Sequence, residues 1–132
     1  MQMNITFPGG KRVDARAGSV TIASDQSAES GGEGSAPEPY MLFLASLGTC
    51  AGIYVLRFCQ SRRLSTDGLA LTQTMEWDEA VHKLSRVRLD IHLPPGFPDK
   101  YRDAVIRAAD QCAVKRTILE PPEFSIACVP AP

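Results

Sequence analysis

Charge of one sign is what this chain most plainly lacks. Its 132 residues hold 14 Lys+Arg against 15 Asp+Glu, a formal net charge of -1. The basic footprint that grips a nucleic-acid backbone is therefore missing, and no nucleic-acid partner is expected. A Cys-x-x-Cys pair is missing too, and the two histidines, His82 and His92, lie far in sequence from every cysteine. Those absences argue against a metal site, whose ligands usually come in close pairs. The N-terminus, Met1-Gln2-Met3-Asn4-Ile5-Thr6, has no basic-then-apolar order of a secretory signal, so the cytoplasm is the expected compartment. An unbroken apolar run is also absent. The greasiest stretch, Tyr40 to Cys59, is interrupted by Ser46, Gly48, Thr49, Gly52 and Arg57. It reads as a buried helix rather than a membrane span. What is present, 44% hydrophobic and 22% charged residues, is the make-up of one folded domain covering residues 1–132 and is too apolar for a disordered chain.

The pattern of elements is mixed. Met3 to Phe7 and Arg12 to Ala17 read as a hairpin around Pro8-Gly9-Gly10-Lys11, and Ser19 to Ala23 as a third short strand. Ser24 to Glu38 holds no aliphatic side chain larger than alanine, which predicts a long mobile loop. Pro37 and Pro39 mark the start of a helix running to Ser61, since proline fits a first turn where its missing N–H has no partner anyway. That helix is apolar almost all round and must be enclosed on most sides. A second copy of the chain is the expected source of the missing wall, in a two-fold homodimer. Leu69, Leu71, Met75 and Trp77 share one face of a strand, with Trp77 expected in the core, and Val87, Leu89, Ile91 and Leu93 share one face of the next. A helix from about Pro98 to Cys112 follows, with Tyr101, Ala104, Val105, Ala108 and Cys112 along its buried stripe. Pro121-Pro122 excludes further helix, and Phe124 to Val129 reads as a last strand. The fold class is α+β, helices packed on antiparallel sheet.

The four cysteines are Cys50, Cys59, Cys112 and Cys128, too few for a disulfide scaffold. Cys50 and Cys59, nine residues apart on one helix, are separated by about 13.5 Å of rise and point to opposite faces, so they cannot bond to each other. Cys59 reads as a packing thiol. Cys50 sits in a run of small residues, Gly48-Thr49-Cys50-Ala51-Gly52. Either these let another helix approach closely, or they open a pocket through which a substrate reaches the sulfur. Cys112 ends the second predicted helix and is followed by Ala113-Val114-Lys115-Arg116.

The segment PYMLFLASLGTC from Pro39 to Cys50, with Cys112-Ala113-Val114 about sixty residues later, resembles the OsmC/Ohr family of osmotically inducible and organic-hydroperoxide-resistance proteins. It is most similar to the OsmC-related branch in which some relatives carry selenocysteine at the position of Cys50. The resemblance spans nearly the whole chain, because the element order matches as well. It implies an OsmC-like fold, antiparallel sheets packed on a long central helix, in an intertwined homodimer with active sites at the interface. It implies a cysteine-based peroxidase without cofactor or metal, acting on organic hydroperoxides and reduced by an external dithiol. In that scheme Cys50 is the peroxidatic residue and Cys112 the resolving one. It favours the pocket over the packing explanation for the small residues around Cys50. The alternative on the same fold is a non-catalytic thiol carrier or redox sensor.

Two departures bear on the chemistry. Well-studied members place a glutamate nine or ten residues before the peroxidatic cysteine, where it positions a thiolate-stabilising arginine. Here those positions are Tyr40 and Met41, and the nearest acid is Glu38. The proline usual after the second cysteine is Ala113. An apolar pocket raises a thiol pKa, so a cation or a set of donors must replace the missing device. Arg57, and Arg12 or Arg16 of this chain or of a partner copy, are the candidate cations. Because Cys50 is mid-helix, no help is expected from a helix N-terminus.

Overall fold

A computed structural model describes residues 1–131. The elements run β1 (Asn4–Gly9), β2 (Arg12–Ala17), β3 (Val20–Ile22), α1 (Pro39–Ser61), β4 (Ala70–Asp78), β5 (Lys83–His92), α2 (Arg102–Ala109) and α3 (Ala113–Leu119). This is the α+β architecture expected, and α1 has the bounds its proline entrance and apolar length dictate. The chain divides into two compact units, one of residues up to Ser46 and one from Leu47 on.

In the first unit, β1, β2 and β3 form an antiparallel meander with Ile5 opposite Ala15 and Ala15 opposite Ile22. The hairpin turns through Gly10 at a φ of 58°, a left-handed backbone that costs glycine nothing. The segment expected to be a mobile loop is instead tied into a knot around Asp25, which is 1% exposed. One carboxylate oxygen accepts from the Ser35 hydroxyl at 2.7 Å and the Ser35 N–H at 3.0 Å, and also from the Glu33 N–H. The other accepts from the Gln26 N–H at 2.8 Å. Small polar residues read as looseness in the sequence, yet they supply the donors that let a carboxylate be buried. Gly32 is required by the same knot: a Cβ there would sit 2.1 Å from the Gln26 carbonyl oxygen and 2.9 Å from the Asp25 carboxylate. Glu38 is engaged here too, accepting from the Ser27 N–H at 2.9 Å.

In the second unit, β4 and β5 pair as a long antiparallel ribbon with Leu71 opposite Ile91, Gln73 opposite Leu89 and Met75 opposite Val87. The ribbon's register shifts between Glu76 and Trp77. Trp77, opposite Leu84 near the end of the ribbon, is 49% exposed rather than in the core. The core gathers Val55, Phe58, Cys59, Phe97 and Val105. Cys59 is the buried packing thiol expected, and burial pushes its pKa up. The Phe58 and Tyr101 rings meet edge to face at 5.9 Å, and the Arg62 guanidinium lies 3.8 Å above Phe58. Gly48 serves packing: a Cβ there would come within 2.6 Å of the Gln73 amide oxygen, so the glycine makes room for a strand side chain rather than for a helix. At Gly52 a Cβ would meet nothing within 4 Å.

Two further expectations are corrected. The helix predicted from Pro98 to Cys112 is broken: α2 ends at Ala109, and a new helix, α3, starts at Ala113 with Cys112 as its N-cap. Cysteine is not a residue that announces a helix start, so the sequence hid this boundary. The predicted strand Phe124 to Val129 is absent, and residues 121–131 carry no regular secondary structure. Phe124, Ile126 and Val129 are all exposed, as expected of a strand whose backbone finds no edge within the single chain. Helix α1 is long and apolar enough to cross a membrane by length and composition, and a third of its most apolar window is buried within the chain. Tyr40, Met41, Phe43 and Ile53 remain exposed along it.

The Asp25 knot has a pH signature. Hydrogen bonds, led by the Ser35 hydroxyl, take the carboxyl from an ordinary 3.8 down to about 2. A depressed acid stabilises the fold above its unfolded pKa, and that stability is lost as the pH falls toward the folded value. Melting temperature should therefore drop between pH 4 and pH 2 by more in the wild type than in Ser35→Ala, measured by circular dichroism. Equal slopes would show that the knot contributes nothing.

Candidate active site

The break between α2 and α3 places Cys112 against Cys50. The first turn of any helix leaves N–H groups without intrahelical acceptors. Here they meet sulfur. The Lys115 N–H donates to Cys112 Sγ at 3.4 Å, while the N–H groups of Val114 and Ala113 lie where they favour the charged form of Cys50. Cys112 favours that form as well, and Cys50 in turn disfavours ionisation of Cys112. Cys112 Sγ further lies 3.8 Å from the Leu47 carbonyl oxygen, one turn before Cys50 on α1. Two sulfurs 62 positions apart thus share one small polar cluster.

The cluster sets the two thiols apart electrically. The Val114 N–H, opposed by burial and helped by Cys112 and the Ala113 N–H, lowers the Cys50 pKa. Burial raises that of Cys112, and the adjacent Cys50 raises it further against the Lys115 N–H. A hydrogen bond to a charged group is worth about 1.5–3 kcal/mol, and one pKa unit is about 1.36 kcal/mol. A few donors therefore suffice to overcome the desolvation of a sulfur that is only half-buried. The arrangement yields one thiol inclined to ionise and a protonated neighbour beside it.

The main-chain groups beside Cys50 are what the sequence reading missed. A helix N-terminus does help Cys50, but it belongs to α3 and not to the helix that carries the cysteine. The signal was Ala113-Val114, small and apolar, directly after a cysteine that begins a helix. Within the single chain none of the arginine candidates contributes to the Cys50 shift, nor does any other cation among the described residues. Arg57 and Arg16 are exposed, and Arg12 is paired with Asp14 at 2.8 Å. Lys115 is paired with Asp110. Cys128 is exposed in the C-terminal stretch. His92 meets the Thr72 hydroxyl at 2.8 Å on the polar face of the ribbon. Among the described residues no three His, Cys, Asp or Glu side chains cluster as a metal site would need.

Beside the cluster lies a cavity of about 700 Å³. Its apolar lining includes Leu47 and Ala51 of α1, Leu89 and Ile91 of β5, and Val105 and Ile106 of α2, and Cys112 forms part of its wall. Cys50 does not.

A model of the OsmC-like protein family matches residues 32–127, a span that includes both cysteines. Among curated proteins there is no sequence match. Solved structures of similar fold include an osmotic-stress-induced and detoxification response protein from Psychrobacter arcticus. It superposes with a TM-score of 0.72 at 20% identity, over 89% of this chain and 87% of the other. An organic hydroperoxide resistance protein OsmC from Legionella pneumophila gives 0.54 at 20% identity, over 89% of each chain. An organic hydroperoxide resistance protein from Vibrio cholerae, holding captopril in one of its active sites, gives 0.58 at 18% identity, over 92% and 85%. At such identities the likeness speaks for the fold alone. With the family match over most of the sequence and the α+β architecture in agreement, this chain belongs to the OsmC-like protein family.

Proposed function

We propose that the protein is a thiol-dependent peroxidase that reduces organic hydroperoxides through Cys50 and Cys112. The observation that carries this reading is that Cys112 Sγ lies 3.8 Å from the Leu47 carbonyl oxygen, one turn before Cys50, so that the two thiols shift each other's acidity in opposite directions. The Cys50 thiolate attacks the distal oxygen of a hydroperoxide. The O–O bond breaks, Cys50 becomes a sulfenic acid, and the alkoxide leaves as an alcohol after taking a proton. Cys112 is the protonated group nearest the reacting sulfur. Its sulfur then displaces the sulfenic hydroxyl, giving a Cys50–Cys112 disulfide and water. An external dithiol returns both cysteines to the thiol state, leaving as its own disulfide. No cofactor or metal enters the cycle. The occurrence of organic hydroperoxide resistance proteins among the structures of like fold supports this substrate class.

The same reading includes a cytoplasmic homodimer. Apolar side chains left uncovered on α1 and in the C-terminal stretch support a second copy as their cover. Light scattering should give twice the chain mass at micromolar concentration; a monomer there would refute the dimer.

Cys50→Ser should abolish turnover of an alkyl hydroperoxide. Cys112→Ser should permit a single turnover and then accumulate sulfinic acid, read by intact-mass spectrometry. Undiminished consumption by Cys50→Ser would end the peroxidase reading.

Activation by main-chain donors gives a separate test. Proline at the first helical position keeps the helix and deletes one N–H. Ala113→Pro should therefore move the pH midpoint of Cys50 alkylation upward and slow its reaction with peroxide. In the wild type, Cys50 should be alkylated at lower pH than Cys112, because a lowered pKa makes the thiolate available earlier as pH rises. The reverse order would contradict the assignment of roles.

A further inference from the structure

Lys115 is engaged at both of its ends. Its N–H donates to Cys112 Sγ at 3.4 Å, and its ammonium is paired with the Asp110 carboxylate. Asp110 is the C-cap of α2 and Lys115 lies in the first turn of α3, so the ion pair spans the corner that carries Cys112. We infer that Asp110 is a positioning residue for the two thiols: through Lys115 it holds the leading turn of α3 against the sulfurs. The inference deepens the peroxidase reading and rests on its choice of Cys50 as the reactive thiol.

The corner needs such a tie. On the α2 side it is fastened by backbone bonds: Asp110 N–H to the Ile106 carbonyl at 3.1 Å, Gln111 N–H to that of Ala108 at 3.0 Å, and Cys112 N–H to that of Ala109 at 3.2 Å. On the other side, α3 is seven residues long and none of its residues is buried. A helix that short does not hold itself together, and it has no core of its own to lean on. Beyond Glu120 the chain carries no regular secondary structure that could steady it. Two attachments at its start remain. One is Cys112, 2% exposed and 3.8 Å from the Leu47 carbonyl oxygen; the other is the Asp110–Lys115 pair. The N–H groups of Ala113 and Val114, which favour the charged form of Cys50, lie between those two attachments and follow them.

The pair acts through position and not through its field. Among the described residues no charged side chain of α1, α2 or α3 contributes to the shift of either thiol. Arg102, also on α2, is taken by Asp99 at 2.8 Å, and Arg57 on α1 and Arg116 on α3 are exposed.

The test follows Cys50 alkylation across pH by mass spectrometry, in buffer without peroxide. Asp110→Asn and Lys115→Met should each raise the midpoint by about half a pH unit, the size an exposed ion pair can supply. Asp110→Glu, which keeps the pair, should stay at the wild-type midpoint. The two side chains are 42% and 62% exposed, so molar salt should screen the pair. It should lift the wild-type midpoint to meet those of the two broken pairs. A field effect has another signature: Asp110→Asn would unmask the ammonium and lower the midpoint, while Lys115→Met raised it. Opposite shifts, no shift, or an equal shift in Asp110→Glu and Asp110→Asn would overturn the inference and leave the peroxidase reading intact. Undiminished peroxide consumption by Cys50→Ser would remove the peroxidase reading, while the midpoints would still report whether Asp110 positions the turn.

Discussion

The first turn of α3 sets its leading N–H groups beside two sulfurs, and the site is built around that fact. A helix must do something with its leading N–H groups; this one divides them between Cys50 and Cys112. The donors require Cys112 to be an N-cap, which in turn requires α2 to stop at Ala109 and the chain to restart at Ala113. The core beneath α2 fixes where that restart occurs, because Val105 is locked against Val55, Phe58 and Cys59.

The same device accounts for two departures from the family pattern. Tyr40 and Met41 stand where a glutamate is usual, and Glu38 is engaged by the Ser27 N–H. No cation lowers Cys50 among the described residues. Ala113, standing where a proline is usual, retains an N–H that proline would lack, and that N–H contributes to Cys50. A lost side-chain device and a gained main-chain donor fit together as one exchange.

Much of this was legible in the sequence. The α1 boundaries followed from Pro39 and the apolar run, and the β4–β5 ribbon from strict alternation. Cys50 and Cys112 were singled out by small neighbours and by family resemblance. The failures have physical causes. Ser24 to Glu38 looked loose because single residues were read for propensity, whereas its order comes from four donors converging on one carboxylate. Trp77 was placed in the core because it continues the alternation of Met75, but alternation does not tell where along the ribbon the cover ends. The α2–α3 break was hidden because a thiol did the work of a serine. Phe124 to Val129 has the alternation of a strand, but a strand needs an edge, and periodicity does not say whose.

The position of Ala113 carries a consequence for how such a site would be found by experiment. The leading group that favours ionisation of Cys50 is a backbone N–H, that of Val114, joined by that of Ala113. A systematic replacement of residues by alanine would pass through this turn with little effect, since Ala113 is alanine already and Val114 would keep its amide. A change that removes an amide N–H, a proline or a backbone ester in its place, would reveal what the turn contributes.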